Sequence, residues 1–281
     1  MTAVTIVHVS DLHFGRDVSL TQVEALEAQL PGLEPDAIVL SGDVSQRARH
    51  GEFQMARFFR DRVGKVAPVL TIPGNHDVQW WASPFGVRGT EPLYRKYRRY
   101  FGPDLAPHFE IPGAHITGAL TSYGVAAGSM TWDLNDMAVK GHLPRSEVAR
   151  ITRYFETAPP GTVRVAVVHH NVLRGQISQR MGLARWRAAQ QQLRATGADL
   201  VLCGHDHQES SGQIDGTVVV STTGTLTSRT RGKRPSAFNV VRVDDVAVTV
   251  QHLRWEEDLK RFKPSDQARY GRIPARGSES G

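Results

Sequence analysis

The chain has 281 residues, of which 34 are Lys or Arg and 28 are Asp or Glu, so its formal net charge is +6. A modest positive excess suits an anionic substrate, but it is also common in enzymes that bind no nucleic acid. The single cysteine, Cys203, excludes an internal disulfide, and no run reaches the roughly 18 apolar residues of a membrane span. With no signal peptide pattern, we expect a cytoplasmic protein that binds no membrane.

Five short apolar runs predict buried strands, because their aliphatic and β-branched side chains suit a sheet that is covered on both faces. These runs lie at residues 5–9, 37–40, 69–72, 165–168 and 200–202. Amphipathic patterns predict helices at residues 19–30, 52–63, 144–155 and 185–196. Together they indicate one α/β domain with crossover helices.

The alternation stops between residues 78 and 162, where we expect a sheet edge and loops that shape the substrate pocket. Short strands are predicted within residues 109–139, and later strands at residues 218–220, 237–241 and 246–250. Residues 1–255 are assigned to the domain. Residues 256–281 form a polar tail, which we expect to be either disordered or laid on the surface.

Polar residues follow each of the five runs, so each predicted strand releases them at its C-terminal end. In open α/β sheets, ligands bind at the edge where such strand ends meet. Carboxylate, amide and imidazole groups without a lysine or a nucleophilic serine are typical of a metal site. The candidate ligands are Asp11, His13, Asp43, Asn75, His169, His205 and His207.

Spacing favours this interpretation at two strand ends. Side chains two residues apart on an extended backbone point to one face, so Asp11 and His13 can act together, as can His205 and His207. Asp43 follows a glycine and has two oxygens, so it can bridge two metal ions. Each motif alone is weak, but five in one chain make a metal site the preferred interpretation.

The motifs appear in the order Asp-x-His, Gly-Asp, Gly-Asn-His-Asp, His and Gly-His-x-His. In this the chain resembles the calcineurin-like metallophosphoesterases, and most of all the branch that contains the class III cyclic-nucleotide phosphodiesterases. The resemblance implies an α/β fold in which two central mixed β-sheets are flanked by helices, a four-layer sandwich. It also implies a dinuclear centre with two divalent or mixed-valence ions of Mn, Fe, Zn or Co.

The resemblance assigns a ligand set to each ion. The first ion would be held by Asp11, His13, Asp43 and His207. The second ion would be held by Asp43, Asn75, His169 and His205. Of the adjacent histidines, His169 is preferred as the ligand because it comes directly off its strand, and His170 is expected behind the ligands or in the pocket wall.

The reaction implied by the resemblance is hydrolysis of a phosphoric ester, in which a hydroxide that bridges the ions attacks phosphorus. Two carboxylates against two divalent ions leave a positive centre, which attracts phosphate oxygens and favours ionisation of the shared water. Phosphodiesters are the expected substrates, with 3',5'-cyclic nucleotides among them. The sequence reads His169-His170-Asn171 where that branch usually has His-His-Pro, which weakens the assignment of a cyclic nucleotide. Phosphomonoesters would meet the same metals, so a broad-specificity phosphomonoesterase stays an alternative.

Residues next to the motifs are candidates for catalysis or substrate binding. His76 resembles the family histidine that contacts the phosphate and assists the leaving group. Asp77 either hydrogen-bonds the His76 imidazole and favours its protonated form, or caps the loop. Arg16 either reaches a phosphate or is an exposed loop arginine, and Trp80 and Trp81 either stack on a base or pack an insertion onto the domain.

Three alternatives concern other functions. A nuclease of the Mre11 type is suggested by the basic and aromatic segment 94–101, although we prefer an amphipathic helix with a solvated basic face. A non-catalytic binding module on the same fold would not need the complete ligand set. A metallo-β-lactamase is excluded because Glu209 and Ser210 stand where Asp and His are required.

The expected partner is a small anionic phosphate ester, and nucleic acid is less favoured. The late strands and the tail offer a surface on which a homodimer would form.

Overall fold

The computed structural model describes residues 3–16, 18–79, 91–123, 140–228 and 230–272. In chain order its elements are β1 (Val4–Val9), α1 (Leu20–Leu33), β2 (Ala37–Leu40), α2 (His50–Val63), β3 (Val69–Thr71), α3 (Glu91–Phe101), β4 (His108–Ile111), β5 (Ala114–Gly118), α4 (Arg145–Glu156), β6 (Val163–Val167), α5 (Trp186–Ala195), β7 (Leu200–Cys203), β8 (Ser210–Ile214), β9 (Val218–Thr222), β10 (Ala237–Val243), β11 (Ala247–Glu256) and β12 (Arg261–Gly271). No helix in these ranges is both long and apolar enough to cross a bilayer.

The strands form two mixed sheets of six. The first has the order β12-β11-β10-β1-β2-β3, in which β1, β2 and β3 are parallel and the other pairings are antiparallel. The second has the order β4-β5-β6-β7-β9-β8, with four parallel central strands and antiparallel edge strands. The predicted fold with two central mixed sheets is confirmed.

Three apolar clusters separate four layers. Along β1, Ile6 faces the interface between the sheets, whereas Val7 and Val9 face the helices α1, α2 and α3. On the outer face of the second sheet, Ile151 of α4 and Leu193 of α5 pack against the central strands. Because the central strands are buried on both faces, their sequences are continuous apolar runs.

The parallel strands of both sheets end on the same side of the molecule. Loop amides continue the pairing beyond the strands, since Asp11 N donates to Gly42 O at 3.0 Å and Gly204 N donates to His169 O at 2.9 Å. The sheets are joined at this point, because His205 N donates to Asp11 Oδ2 at 2.8 Å. Five strand ends therefore meet at one place.

Segment 94–101 lies in helix α3, as the preferred interpretation predicted. Tyr94 and Tyr97 are fully buried, with hydroxyls that donate to Ser122 O and, at 3.3 Å, to Thr71 O. Their rings therefore pack in the core and cannot stack on bases.

The sequence pattern misses two edge strands, β8 and β12. The tail is not disordered through residues 261–271, because these residues pair along the whole of β11. Phe262 fixes this strand, since its fully buried ring contacts the rings of Phe238 and Trp255. Residues 273–281 of the predicted tail lie outside the described residues.

We expect the Phe262→Ala variant to lose about 3 to 5 kcal/mol of unfolding free energy, because it removes a buried ring that holds β12 on the sheet. Guanidinium denaturation measures the difference, with Leu259→Ala, whose side chain is 49% exposed, as the control. A loss below about 1 kcal/mol would contradict an integral role for β12.

Candidate metal centre

The predicted ligands lie just beyond the strand ends, where the backbone is no longer extended. The angle φ is positive at five of them: Asp11 (54°), His13 (45°), Asp43 (50°), His205 (72°) and His207 (55°). The expected extended backbone is therefore wrong for the pairs Asp11/His13 and His205/His207. Left-handed turns bring the two side chains of each pair together instead. Such conformations cost roughly 1 to 3 kcal/mol each and are concentrated at functional sites.

The first donor cluster contains Asp11, His13 and His207. The Nε2 atoms of the two histidines are 3.0 Å apart, so at most one of them can donate to the other. Asp11 Oδ1 lies 3.3 Å from His207 Nε2 and 3.7 Å from His13 Nε2. Asp43 Oδ2 completes the cluster at 3.8 Å from His13 Nε2.

The second donor cluster contains Asp43, Asn75, His169 and His205. His169 Nε2 lies 3.3 Å from Asp43 Oδ2 and 3.1 Å from Asn75 Oδ1. His205 Nδ1 lies 2.9 Å from Asn75 Oδ1 and 3.3 Å from His169 Nε2. Each cluster brings together side chains that the resemblance assigns to one ion.

Asp43 belongs to both clusters through one oxygen, Oδ2. Its other oxygen, Oδ1, accepts a hydrogen bond from His76 N at 2.8 Å, so the carboxylate is held in place. Gly74 lies so close that an added Cβ would overlap the Asp43 carboxylate and main chain. The glycine of the Gly-Asn-His-Asp motif is therefore required by this close approach.

Hydrogen bonds from neighbouring loops orient the imidazole of His169. Its Nδ1–H donates to Ser41 O at 2.9 Å, which directs the Nε2 lone pair into the second cluster. The Ser41 hydroxyl in turn lies 2.9 Å from Nε2 of His8, a fully buried residue of β1. A ligand that follows a strand of the second sheet is thus held by residues of the first sheet.

Burial and neighbouring charges set the protonation of the donors. Burial raises the pKa of Asp11 and Asp43, but the adjacent histidines outweigh it and hold both pKa values below the usual range. Burial, together with the charge on His169, lowers the pKa of His205 to about 3. Burial also opposes the charged form of His169, but the Asp43 carboxylate outweighs it and raises that pKa to about 9. Ionised carboxylates and neutral imidazoles are the forms that bind metal, so a cation bound at His169 Nε2 would take the place of the proton there.

This donor set fits two metal ions. Donors bound about 2.1 Å from one ion lie roughly 3.0 to 3.4 Å apart, which matches the separations in the second cluster. Asp11 Oδ1 is buried and accepts no hydrogen bond from the described part of the chain, although two imidazole nitrogens face it. A cation would satisfy this oxygen.

The calcineurin-like phosphoesterase family profile matches residues 4–209, which include all seven candidate ligands. The chain belongs to the calcineurin-like phosphoesterase family. A curated relative, the glycerophosphodiester phosphodiesterase GpdQ of Enterobacter lignolyticus (strain SCF1), is 39% identical over 82 residues. That similarity covers 25% of this chain and 28% of the relative, so it spans less than a third of that protein.

Two solved structures share the fold of this calcineurin-like phosphoesterase. The purple acid phosphatase PPD1 from yellow lupin (Lupinus luteus) seeds has a TM-score of 0.68 at 11% identity, over 96% of this chain and 54% of that one. A dimetal phosphatase from Danio rerio has a TM-score of 0.63 at 11% identity, over 96% and 99% of the two chains. At these identities the similarity shows the fold alone.

In this calcineurin-like phosphoesterase, Asp77 does not form the hydrogen bond to the His76 imidazole that its catalytic interpretation required. Its carboxylate accepts hydrogen bonds from Val44 N, Ser45 N, Ser45 Oγ and Gly74 N, at 3.1, 2.8, 2.6 and 2.9 Å. Burial, with the nearby Asp43 charge, raises the pKa of Asp77 to about 6. Asp77 therefore connects the loop that follows Asp43 to the loop that contains Gly74, which is the loop-capping alternative.

His76 donates from Nδ1 to Gln46 O at 2.8 Å, and its ring lies edge-on to His13 with centroids 4.6 Å apart. It lines a cavity of about 340 Å³ at the metal centre. The cavity also contains two residues that the sequence interpretation missed, Thr230 and Arg231. Only the basic composition of their loop indicates a role, since no motif lies near them.

The other predicted substrate-binding residues do not line the described part of the cavity. His170 is buried behind the ligands, with its ring 4.6 Å from that of His205 and its Nδ1 2.8 Å from Thr121 Oγ1. Arg16 is exposed and is not among the described residues that line the cavity. Trp80 and Trp81 lie outside the described residues.

We expect the Asp43→Asn variant to lose both bound metal ions, because the shared oxygen is a donor to both clusters and carries the only carboxylate charge of the second one. Elemental analysis of the purified, metal-loaded protein measures the stoichiometry. Asp61→Asn, which changes an exposed carboxylate on α2, is the control. Retention of two ions per chain in Asp43→Asn would contradict the bridging role.

Gly74→Ala tests the close approach without changing a ligand. The added methyl group would displace the Asp43 carboxylate, so we expect reduced metal content and a lower melting temperature. Gly51→Ala provides the matched control, because an added Cβ at Gly51 meets nothing within 4 Å. Equal metal content in the two variants would show that Asp43 has more room than the geometry indicates.

Proposed function

We propose that this protein is a metal-dependent phosphoesterase that hydrolyses phosphodiesters. The observation that carries the proposal is the sharing of Asp43 Oδ2 by two donor clusters that open into one cavity. A volume of about 340 Å³ suits a small ester. Family membership supports phosphoester hydrolysis, and the similarity to the GpdQ phosphodiesterase favours a diester.

The ligand set controls the charge of the centre. When bound, two divalent ions supply Lewis-acid stabilisation of the phosphate and lower the pKa of water. Asp11 and Asp43 are the two carboxylates among the seven ligands, so the residues leave part of the metal charge for the anionic substrate. Fixed hydrogen bonds to Asp43 and His169 keep the donors in position, which avoids reorganisation during the reaction.

His76 is suited to move the proton of the leaving group. Because its Nδ1–H is bonded to Gln46 O, Nε2 is the nitrogen that can accept a proton and donate it to the departing ester oxygen. The side chain lines the same cavity as the ligands Asp43 and Asn75. General acid assistance then requires no covalent bond between the chain and the phosphate.

Other assignments stay predictions. These are a cyclic nucleotide as substrate, phosphomonoester hydrolysis, the choice among Mn, Fe, Zn and Co, a cytoplasmic location and a homodimer. The buried tyrosines of α3 weigh against a nuclease that stacks bases there. The binding-module alternative is tested directly by turnover.

We expect the protein loaded with Mn²⁺ to hydrolyse bis(p-nitrophenyl) phosphate, and chelation with EDTA to abolish this turnover. Release of p-nitrophenol measures the rate, and p-nitrophenyl phosphate and cyclic AMP test the monoester and cyclic alternatives. Restoration of the rate by added Mn²⁺ serves as the control for irreversible damage. A protein that binds two ions and hydrolyses none of these esters would favour the binding module.

His76→Ala is expected to lower kcat about 100-fold to 10,000-fold, the range for loss of a general acid, while both ions stay bound. The rate with bis(p-nitrophenyl) phosphate and the metal content are measured on the same preparation. His108→Ala, which changes an exposed histidine of β4, is the control. An unchanged kcat in His76→Ala would exclude the proposed proton transfer.

A further inference from the structure

One cation in the wall of the metal-centre cavity has no role in the chemistry described above. Among the described residues, the lining consists of Asp43, Asn75, His76, His205, His207, Thr230 and Arg231. Four of these are candidate ligands, and His76 is the proposed proton donor. Among the described lining residues, Arg231 alone has a permanent positive charge, since a guanidinium does not deprotonate in proteins.

Arg231 is tethered to the loop that holds two ligands. Its Nε donates to the main-chain oxygen of Asp206 at 3.1 Å, and Asp206 stands between His205 and His207. The guanidinium forms no other hydrogen bond with the part of the chain that the structure describes, so Nη1 and Nη2 keep their donors. The side chain is 44% exposed and can be reached by a solute in the cavity.

The loop around Arg231 is held at several points. Arg234 N donates to Arg231 O at 3.0 Å and closes a turn, and Ser236 Oγ donates to Thr227 O at 3.1 Å across the base of the loop. Arg234 Nη1 lies 3.6 Å from a carboxylate oxygen of the buried Glu209. A guanidinium that is already positioned loses little freedom when it binds an anion.

A purely structural role for Arg231 explains less of this arrangement. Its Nε lies 3.8 Å from Asp206 Oδ1, which is too far for a hydrogen bond. An ion pair with a half-exposed arginine stabilises a fold little. It would also give no reason for the guanidinium to line the cavity.

We propose that Arg231 is a substrate-binding residue, whose Nη1 and Nη2 donate hydrogen bonds to an oxyanion of the phosphate ester in the metal-centre cavity. The proposal rests on the proposed function, because it concerns the substrate of the same site. The planar guanidinium matches two oxygens of a phosphate or carboxylate. The oxyanion is either the scissile phosphate or a second acidic group on the same ester.

Inorganic phosphate is the first probe. Arg231→Gln should weaken competitive inhibition and calorimetric binding of phosphate by about tenfold or more if the scissile phosphate is the partner. Arg231→Lys should lie between the wild type and Arg231→Gln, because it keeps the charge without the two parallel donors. Arg194→Gln, an exposed arginine that pairs with Asp215 at 3.3 Å, is the control.

A matched pair of diesters tests the second possibility, that Arg231 binds an acidic group other than the scissile phosphate. Methyl p-nitrophenyl phosphate and carboxymethyl p-nitrophenyl phosphate differ by one carboxylate on the retained alcohol. If a second acidic group is the partner, Arg231→Gln should lower kcat/KM for the carboxymethyl ester about tenfold more than for the methyl ester, with phosphate binding unchanged. Either pattern supports the proposal.

Metal content and melting temperature separate binding from structure. The proposal is overturned if Arg231→Gln loses metal, since Arg231 would then act by holding the ligand loop. It is equally overturned if phosphate binding and both kcat/KM values stay within about twofold of Arg194→Gln. Should the wild type hydrolyse no ester with two ions bound, the proposed function fails, and calorimetric binding of phosphate and of the two unhydrolysed diesters still decides the role of Arg231.

Discussion

The shared carboxylate of Asp43 is the contact on which the site depends. Its Oδ2 lies 3.3 Å from His169 Nε2 in one cluster and 3.8 Å from His13 Nε2 in the other, while Oδ1 is held by His76 N. Asp77 connects the loop that follows Asp43 to the loop of Gly74 through main-chain amides. Without this oxygen in common, the donors would form two separate sites instead of one dinuclear centre.

The two sheets supply the rigidity that this arrangement requires. Five ligands have left-handed backbone conformations, and each costs roughly 1 to 3 kcal/mol that the rest of the fold must offset. The strands before them are buried on both faces, so the loops start from fixed positions. The hydrogen bond from His205 N to Asp11 Oδ2 then fixes one sheet against the other at the site.

The sequence predicts most of the metal centre, because polar residues that directly follow a buried parallel strand have no place in the core and must emerge at its C-terminal edge. It does not predict the left-handed turns, since apolar periodicity says nothing about φ at Asp11 or His207. Arg231 is far from every motif along the sequence, and only the path of its loop brings it to the cavity. Strand β12 is missed because its side chains are mostly exposed and polar, with Phe262 as the main apolar signal.

Anomalous scattering from a crystal of the manganese-loaded protein tests the central claim most directly. The account predicts two manganese peaks about 3.5 to 4 Å apart, both in contact with the carboxylate of Asp43. A single peak, or a second peak that Asp43 does not contact, would contradict it.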